Sequence, residues 1–129
     1  MTHPNRELVQ RGYEAFGRGD IPAVLELFAV DITWHVSGRS AVSGDYKGHE
    51  EVVGFFTKLM ELSSGTFNLQ IHDFTASDDH VVVLTSESAR RGAASITDNN
   101  VHIWHVRDGK ATEFWTTSLD QYASDEFWA

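Results

Sequence analysis

Residues 94–120 read ASITDNNVHIWHVRDGKATEFWTTSLD, and this stretch decides the fold class. Two runs rich in β-branched and aromatic residues flank Asp108-Gly109. An Asp-Gly pair between two strand patterns is a strong signal for a β-hairpin. Two earlier runs, residues 67–76 and 80–91, have the same character. The second half of the chain therefore predicts a meander of four antiparallel strands.

Helix patterns begin the chain. Val9, Tyr13 and Phe16 recur at helical spacing, so they share one helix face. Asp20, with Pro22 just behind it, has the residue types that begin a second, short helix. Both patterns predict helices before the first strand.

A short β-pattern at residues 32–36 follows these helices and leads into a loop rich in Gly and Ser, residues 37–48. Apolar residues at helical spacing then predict a third helix over residues 49–62. Helices first and an antiparallel meander afterwards indicate an α+β fold, with the helices packed on one face of a curved sheet.

Composition narrows the classes of function. The 129 residues suit a single domain, residues 1–129, and the formal charge of −9 argues against a nucleic-acid partner. There are no cysteines, which excludes thiol nucleophiles and cysteine-ligated metals. No apolar run approaches the roughly 20 residues that span a bilayer, and the first residues are polar. We expect a cytoplasmic protein without a membrane partner.

The order of these elements resembles a known family. Three features carry the likeness. They are a Gly19-Asp20 turn, a helix that runs into ELFAVDITW (residues 26–34), and RDGK (residues 107–110) before a strand that ends at Asp120. They resemble the SnoaL-like branch of the nuclear-transport-factor-2-like superfamily, which includes polyketide cyclases, ketosteroid isomerase and limonene epoxide hydrolase. The resemblance implies a cone-shaped α+β barrel, in which three N-terminal helices pack on a strongly curved, mainly antiparallel sheet around an apolar cavity.

The known catalytic sets of two relatives do not transfer to this sequence. Against ketosteroid isomerase, Gly12 occupies the position of the oxyanion tyrosine and Val36 that of the catalytic base, while His102 falls on the second oxyanion donor. Against the epoxide hydrolase, the water-activating positions fall near Glu87, Ala89 and Thr117. Neither activity is expected by its known mechanism.

Strand alternation separates the two histidines of VHIWHV. His102 shares a face with Trp104, whereas His105 shares the other face with Ile103. The two histidines therefore cannot bind one metal ion together, and we expect neither a metal nor a cofactor.

The resemblance places His102 inside the cavity beside Glu87 of the neighbouring strand. A hydrogen-bonded carboxylate and imidazole in an apolar cavity have the makings of a general acid/base near neutral pH. We therefore take both as candidate catalytic residues. In the structural alternative, the two side chains only satisfy each other.

Further residues are candidates for binding the substrate. Most are aromatic, and one is the aspartate that closes the last strand: Tyr13, Phe16, Trp34, Phe55, Trp104, Trp115 and Asp120. Tyr13 also suits ordinary core packing, and a terminal aspartate such as Asp120 more often caps a helical turn.

Three functions are compatible with this pattern. The first is a cofactor-independent isomerase, cyclase or hydrolase that moves protons on a small apolar or polycyclic substrate. The second is a non-catalytic protein that binds a small hydrophobic molecule in the same cavity. The third is an accessory domain with a filled core. The outer sheet face, with Val101, Ile103, Phe114, Val82 and Leu84, predicts a homodimer in each case.

Overall fold

A computed structural model describes residues 2–129. The elements in chain order are α1 (Pro4–Gly17), α2 (Ile21–Glu26), β1 (Phe28–Val36), β2 (Gly44–Lys47), α3 (Gly48–Leu62), β3 (Asn68–Ala76), β4 (His80–Arg91), β5 (Ala94–Arg107), β6 (Lys110–Ser118) and α4 (Gln121–Phe127). The α+β class and the four-strand meander are confirmed.

All six strands belong to one sheet in the order β2-β1-β6-β5-β4-β3. Neighbouring strands run antiparallel except β1 and β6, which pair in parallel. Because β2 and β3 are both edge strands, the sheet is curled but does not close into the barrel that the resemblance implied.

The hairpin between β5 and β6 forms where Asp-Gly predicts it. Asp108 has φ 52° and Gly109 has φ 73°. Positive φ at both central residues is the requirement of a type I′ turn, whose twist matches that of the flanking strands. The sequence signal at this turn is therefore local and strong.

Two elements were missed from the sequence. The predicted loop at residues 37–48 contains β2, which pairs with β1 from Thr33 opposite Lys47 to Val36 opposite Gly44. The C-terminal residues form α4, which Asp120 caps by accepting a hydrogen bond from the Ala123 N–H at 3.2 Å. Trp128 follows α4 and is buried in the core.

Irregular pairing bends the sheet and sets which side chains face inward. The β5–β6 register shifts between His105 and Val106, so that Glu113 pairs with His105 and Ala111 with Val106. Thr112 is the extra residue of this bulge. Ala111 and Phe114, three positions apart, are therefore both buried. A bulge reverses the strand alternation beyond it, and this reversal decides the lining of the cavity.

Candidate active site

A cavity of about 120 Å³ lies between the concave face of the sheet and helices α1, α2 and α3. Its wall is mostly aromatic and aliphatic, with one polar region on β4 and β5. The aromatic lining residues are Tyr13, Phe16, Phe28, Trp34, Phe55, Phe56, Phe67, Trp104, Phe114 and Trp128. A concave apolar site with a few grouped polar side chains is the usual form of a small-molecule site.

The aromatic part of the wall is a row across three strands. Trp34 pairs with Phe114, and Phe114 pairs with Trp104. The rings of Trp34 and Phe114 are stacked with their centroids 3.7 Å apart, and Trp104 meets Phe114 at 4.5 Å in an edge-on arrangement. The three rings form a rigid apolar surface at this level of the sheet.

A chain of hydrogen bonds crosses the polar part of the wall. The Tyr13 hydroxyl lies 2.6 Å from Nδ1 of His102, and Nε2 of His102 lies 3.1 Å from Oε2 of Glu87. The Thr85 hydroxyl donates to the same carboxylate oxygen at 2.7 Å. His102 is 4 % exposed. The predicted proximity of Glu87 and His102 is thus present, and Tyr13 extends it.

The partners of Tyr13 favour one tautomer of His102. The indole N–H of Trp104 donates to the Tyr13 oxygen at 3.0 Å. Burial raises the pKa of Tyr13 well above its usual value, and the charge of Glu87 adds to this effect, whereas the hydrogen bond from Trp104 opposes it. The phenol therefore keeps its proton. That proton reaches an acceptor if Nδ1 of His102 is bare. Nε2 then carries hydrogen and donates to Glu87.

Asp98 and Asn100 also line the cavity, and sequence reasoning missed them. Both are buried and precede His102 by four and two residues, so strand alternation from His102 was an available signal. Asp98 pairs with Glu87 across the strands and accepts a hydrogen bond from the Ser118 hydroxyl at 2.5 Å.

The surroundings of Asp98 disfavour its charge. Burial raises the pKa of the Asp98 carboxyl, hydrogen bonds from Ser118, Asn100 and Ser124 oppose the change, and the charge of Glu87 adds to it. Two carboxyl groups therefore share the polar region with one imidazole.

Five of the seven aromatic and acidic residues proposed for binding line the cavity, namely Tyr13, Phe16, Trp34, Phe55 and Trp104. Trp115 does not. The Trp115 ring stacks on His35 with the centroids 5.1 Å apart and lies 4.7 Å from the His105 ring, on the convex face. Phe114 instead occupies the inward position that was predicted for Trp115. The bulge at Thr112 is the physical reason, because it moves the odd-numbered residues beyond it to the outer face.

Asp120, also predicted to bind the substrate, does not line the cavity. Asp120 is exposed and its carboxylate caps α4, which is the commoner use of an aspartate at a strand end. Phe114, predicted on the outer face, is 2 % exposed in the core.

The convex face carries its own polar cluster around His35. Its Nδ1 lies 2.6 Å from Asp45 and its Nε2 lies 2.7 Å from Glu113. Desolvation lowers the pKa of His35, but the hydrogen bonds and charges of Asp45 and Glu113 outweigh it and raise the pKa overall. These contacts join the side chains of β2, β1 and β6 on the convex face.

His102 and His105 lie on opposite faces of β5, as strand alternation predicts. Within residues 2–129, no group of three or more His, Cys, Asp or Glu side chains is placed to hold a metal ion. No helix in the same range is long and apolar enough to cross a membrane.

Comparison with known proteins identifies the family. The model of the SnoaL-like domain matches residues 9–114. Bal32a, from a soil-derived mobile gene cassette, has a structure with TM-score 0.93 and 33% identity, over 98% of this chain and 97% of its own. TerC, co-crystallized with polyporic acid, gives TM-score 0.86 and 26% identity over 97% and 98% of the two chains.

An uncharacterized protein of Mycobacterium tuberculosis is also related. It is 27% identical over 124 residues, which are 95% of each chain. The fold, the cavity and the match over residues 9–114 lead to one conclusion: this chain belongs to the SnoaL-like domain family.

Proposed function

We propose that this protein is a cofactor-independent enzyme that moves protons on a small, largely apolar substrate held in the cavity. The observation that carries this proposal is the chain from Tyr13 through His102 to Glu87. It brings an imidazole and a carboxylate together in a mostly apolar cavity, and side chains of these two types commonly act as general acids and bases. The SnoaL-like family supports an isomerase, cyclase or hydrolase type of reaction.

In this proposal Glu87 is the base. Its Oε2 is fixed by Thr85 and His102, while within residues 2–129 no hydrogen bond reaches Oε1. Oε1 is therefore the atom that takes a proton from the substrate. The Nε2–H of His102 stabilises the carboxylate before transfer, and Tyr13 holds the imidazole in the tautomer that can donate this hydrogen bond.

Asp98 supplies the second half of the proton exchange in this mechanism. It faces the same cavity. Because burial raises the pKa of its carboxyl group, Asp98 holds a proton more readily than an exposed aspartate does. A proton that leaves Asp98 for a substrate oxygen is matched by the proton that arrives on Glu87. The site then holds the same number of protons before and after the step.

The proposal is tested by screening the purified protein for turnover. Ring compounds with a carbonyl or hydroxyl group, offered as isomerisation, aldol-type cyclisation and hydrolysis substrates, cover the three reaction types. Turnover that disappears in the variant Glu87→Gln supports the proposal. Turnover that is equal in Glu87→Gln and the wild type would rule out Glu87 as the base.

A non-catalytic binding protein is the second candidate, and a specific observation favours it. TerC, similar in structure over nearly its whole length, has been co-crystallized with a small molecule, polyporic acid. A protein with this cavity can therefore be expected to bind ligands whether or not it reacts with them. Native mass spectrometry that detects a bound ligand, together with no turnover in the screen, would favour binding alone.

We also propose that two copies pair through the convex sheet face. Half-buried or exposed apolar side chains cover it, including Val82, Leu84, Ile103 and Trp115, and such a patch is typical of an interface. Sedimentation equilibrium should give a dimer that Ile103→Asp converts to monomer. The matched change Val30→Asp, at a residue 84% exposed on β1, should leave the dimer intact. A wild-type monomer at micromolar concentration would contradict the proposal.

The remaining expectations concern location and other partners. A cytoplasmic location, one domain over residues 1–129 and the lack of a nucleic-acid partner stay proposals, which the charge of −9 and the lack of cysteine support. A gel-shift assay with duplex DNA at low salt should show no complex, and a complex would contradict the last of them.

A further inference from the structure

The indole N–H of Trp34 is an unpaired donor in the cavity wall. Trp34 is 5 % exposed and lines the cavity, and within residues 2–129 its Nε1 atom has no hydrogen-bond partner. Trp104 in the same row gives its own N–H to Tyr13. Buried polar groups in folded proteins almost always have partners, so an unpaired one calls for an explanation.

Among residues 2–129, the neighbours of Trp34 offer aromatic rings but no hydrogen-bond acceptor to its N–H. Phe56 and Trp104 each lie with their centroids 5.5 Å away, at interplanar angles of 89° and 82°, and Phe114 is stacked on the other side. A contact between an N–H and an aromatic face is weaker than a hydrogen bond to oxygen. An oxygen on a bound molecule is the stronger partner that this wall lacks.

We infer that Trp34 is a specificity-determining residue, whose N–H donates to an oxygen acceptor carried by the apolar ring of the ligand. This inference rests on the proposed use of the cavity as the ligand site. Nε1 is buried, so donation to a ligand requires a neighbouring side chain to move and uncover it.

The dimensions of the cavity suit one ring. Its volume of about 120 Å³ is similar to that of an engineered apolar cavity of about 150 Å³ that binds benzene. His102 lies two residues from Trp104 on β5, so its level is roughly 7 Å along the strand from the Trp34 row. A six-membered ring whose carbonyl meets Trp34 is long enough for its opposite edge to extend toward His102 and Glu87.

The test compares two probes that share a ring, benzaldehyde and toluene. The chain has four tryptophans, so a ¹⁵N spectrum shows four indole signals, and the signal lost in Trp34→Phe belongs to Trp34. We expect benzaldehyde to shift the signal of the Trp34 indole proton downfield. Toluene should cause no such downfield shift. Trp34→Phe should weaken the binding of benzaldehyde by about tenfold, the effect expected for the loss of one hydrogen bond. The binding of toluene should weaken by less than about twofold, because toluene has no oxygen to accept that bond.

Trp115→Phe is the matched control, because it makes the same change on the convex face, and it should alter neither affinity. If both probes bind and Trp34→Phe weakens them equally, the inference fails while the cavity remains a ligand site. If neither probe binds the wild type, the inference and the proposed ligand site fail together. If Trp34→Phe does not fold, the Trp34 signal is assigned by elimination, using phenylalanine variants of the other three tryptophans. The inference is then tested by whether benzaldehyde shifts the Trp34 signal of the wild type downfield.

Discussion

Replacing His102 with glutamine should lower kcat by about 10²- to 10³-fold on any substrate found by screening, with the protein still folded. General acid/base groups contribute rate factors of this size, and the base Glu87 is held by the hydrogen bond from His102. Glutamine can donate one hydrogen bond to Glu87, but it has no ring nitrogen that joins Tyr13 to the carboxylate. Glu87→Gln should cause a loss of similar size, because it removes the base itself.

Kinetics of His105→Gln provide the control for this prediction. His105 lies on the same strand three residues away, and its side chain is on the convex face near Glu113 at 3.7 Å. We expect kcat within about twofold of the wild type, the effect of a change away from the reacting groups. Equal losses in His102→Gln and His105→Gln would mean that the effect comes from the strand and not from the chemistry in the cavity.

The second large effect concerns stability. Phe114→Ala should reduce the free energy of unfolding by about 3–5 kcal/mol, the usual cost of truncating a buried aromatic residue. Phe114 is 2 % exposed, and its ring is stacked on Trp34 and packed against Trp104. Its removal leaves a void in a row of rings that cannot all move into it.

Trp115→Ala is the matched variant, since it removes a larger ring from the next position of the same strand. Trp115 is only half-buried on the convex face, so its removal should cost less than half as much as that of Phe114. Urea denaturation at several protein concentrations measures both values and separates any contribution from pairing of two copies. A larger loss for Trp115→Ala than for Phe114→Ala would contradict the inward and outward assignments on β6.

The parts of the fold that depend on local signals could be predicted from the sequence. The Asp108-Gly109 turn, the helix start at Asp20 and the alternation along β5 each rest on neighbouring residues. The same alternation placed His102 and His105 on opposite faces. These features are encoded by a few adjacent side chains, so they can be recognised before any long-range contact is known.

The features that depend on pairing between distant strands could not be predicted in this way. The bulge at Thr112 is a property of strand pairing, because the register of β6 shifts at this residue against both β5 and β1. It exchanged the places of Phe114 and Trp115. The strand β2 is four residues long and forms only when β1 is beside it, so no local run announced it.

In the candidate site, too, the features that local patterns encode could be predicted, and those that depend on distant contacts could not. Glu87 and His102 were placed together because their strands are neighbours and their faces were known from alternation and the family likeness. The role of Tyr13 depends on where α1 crosses the sheet, and 89 residues separate it from His102. No sequence pattern records that contact. Asp98 and Asn100 could have been found by extending the alternation from His102 toward the start of β5.

We expect Tyr13 to hold His102 in the tautomer whose Nε2 proton points at Glu87. Two-bond ¹H–¹⁵N NMR of the histidine rings near pH 7 tests it directly, with His102→Gln used to assign the signals. We predict a bare Nδ1 and a protonated Nε2 for His102, and we predict that Tyr13→Phe removes this preference. A His102 ring that is protonated at Nδ1 in the wild type would contradict the account.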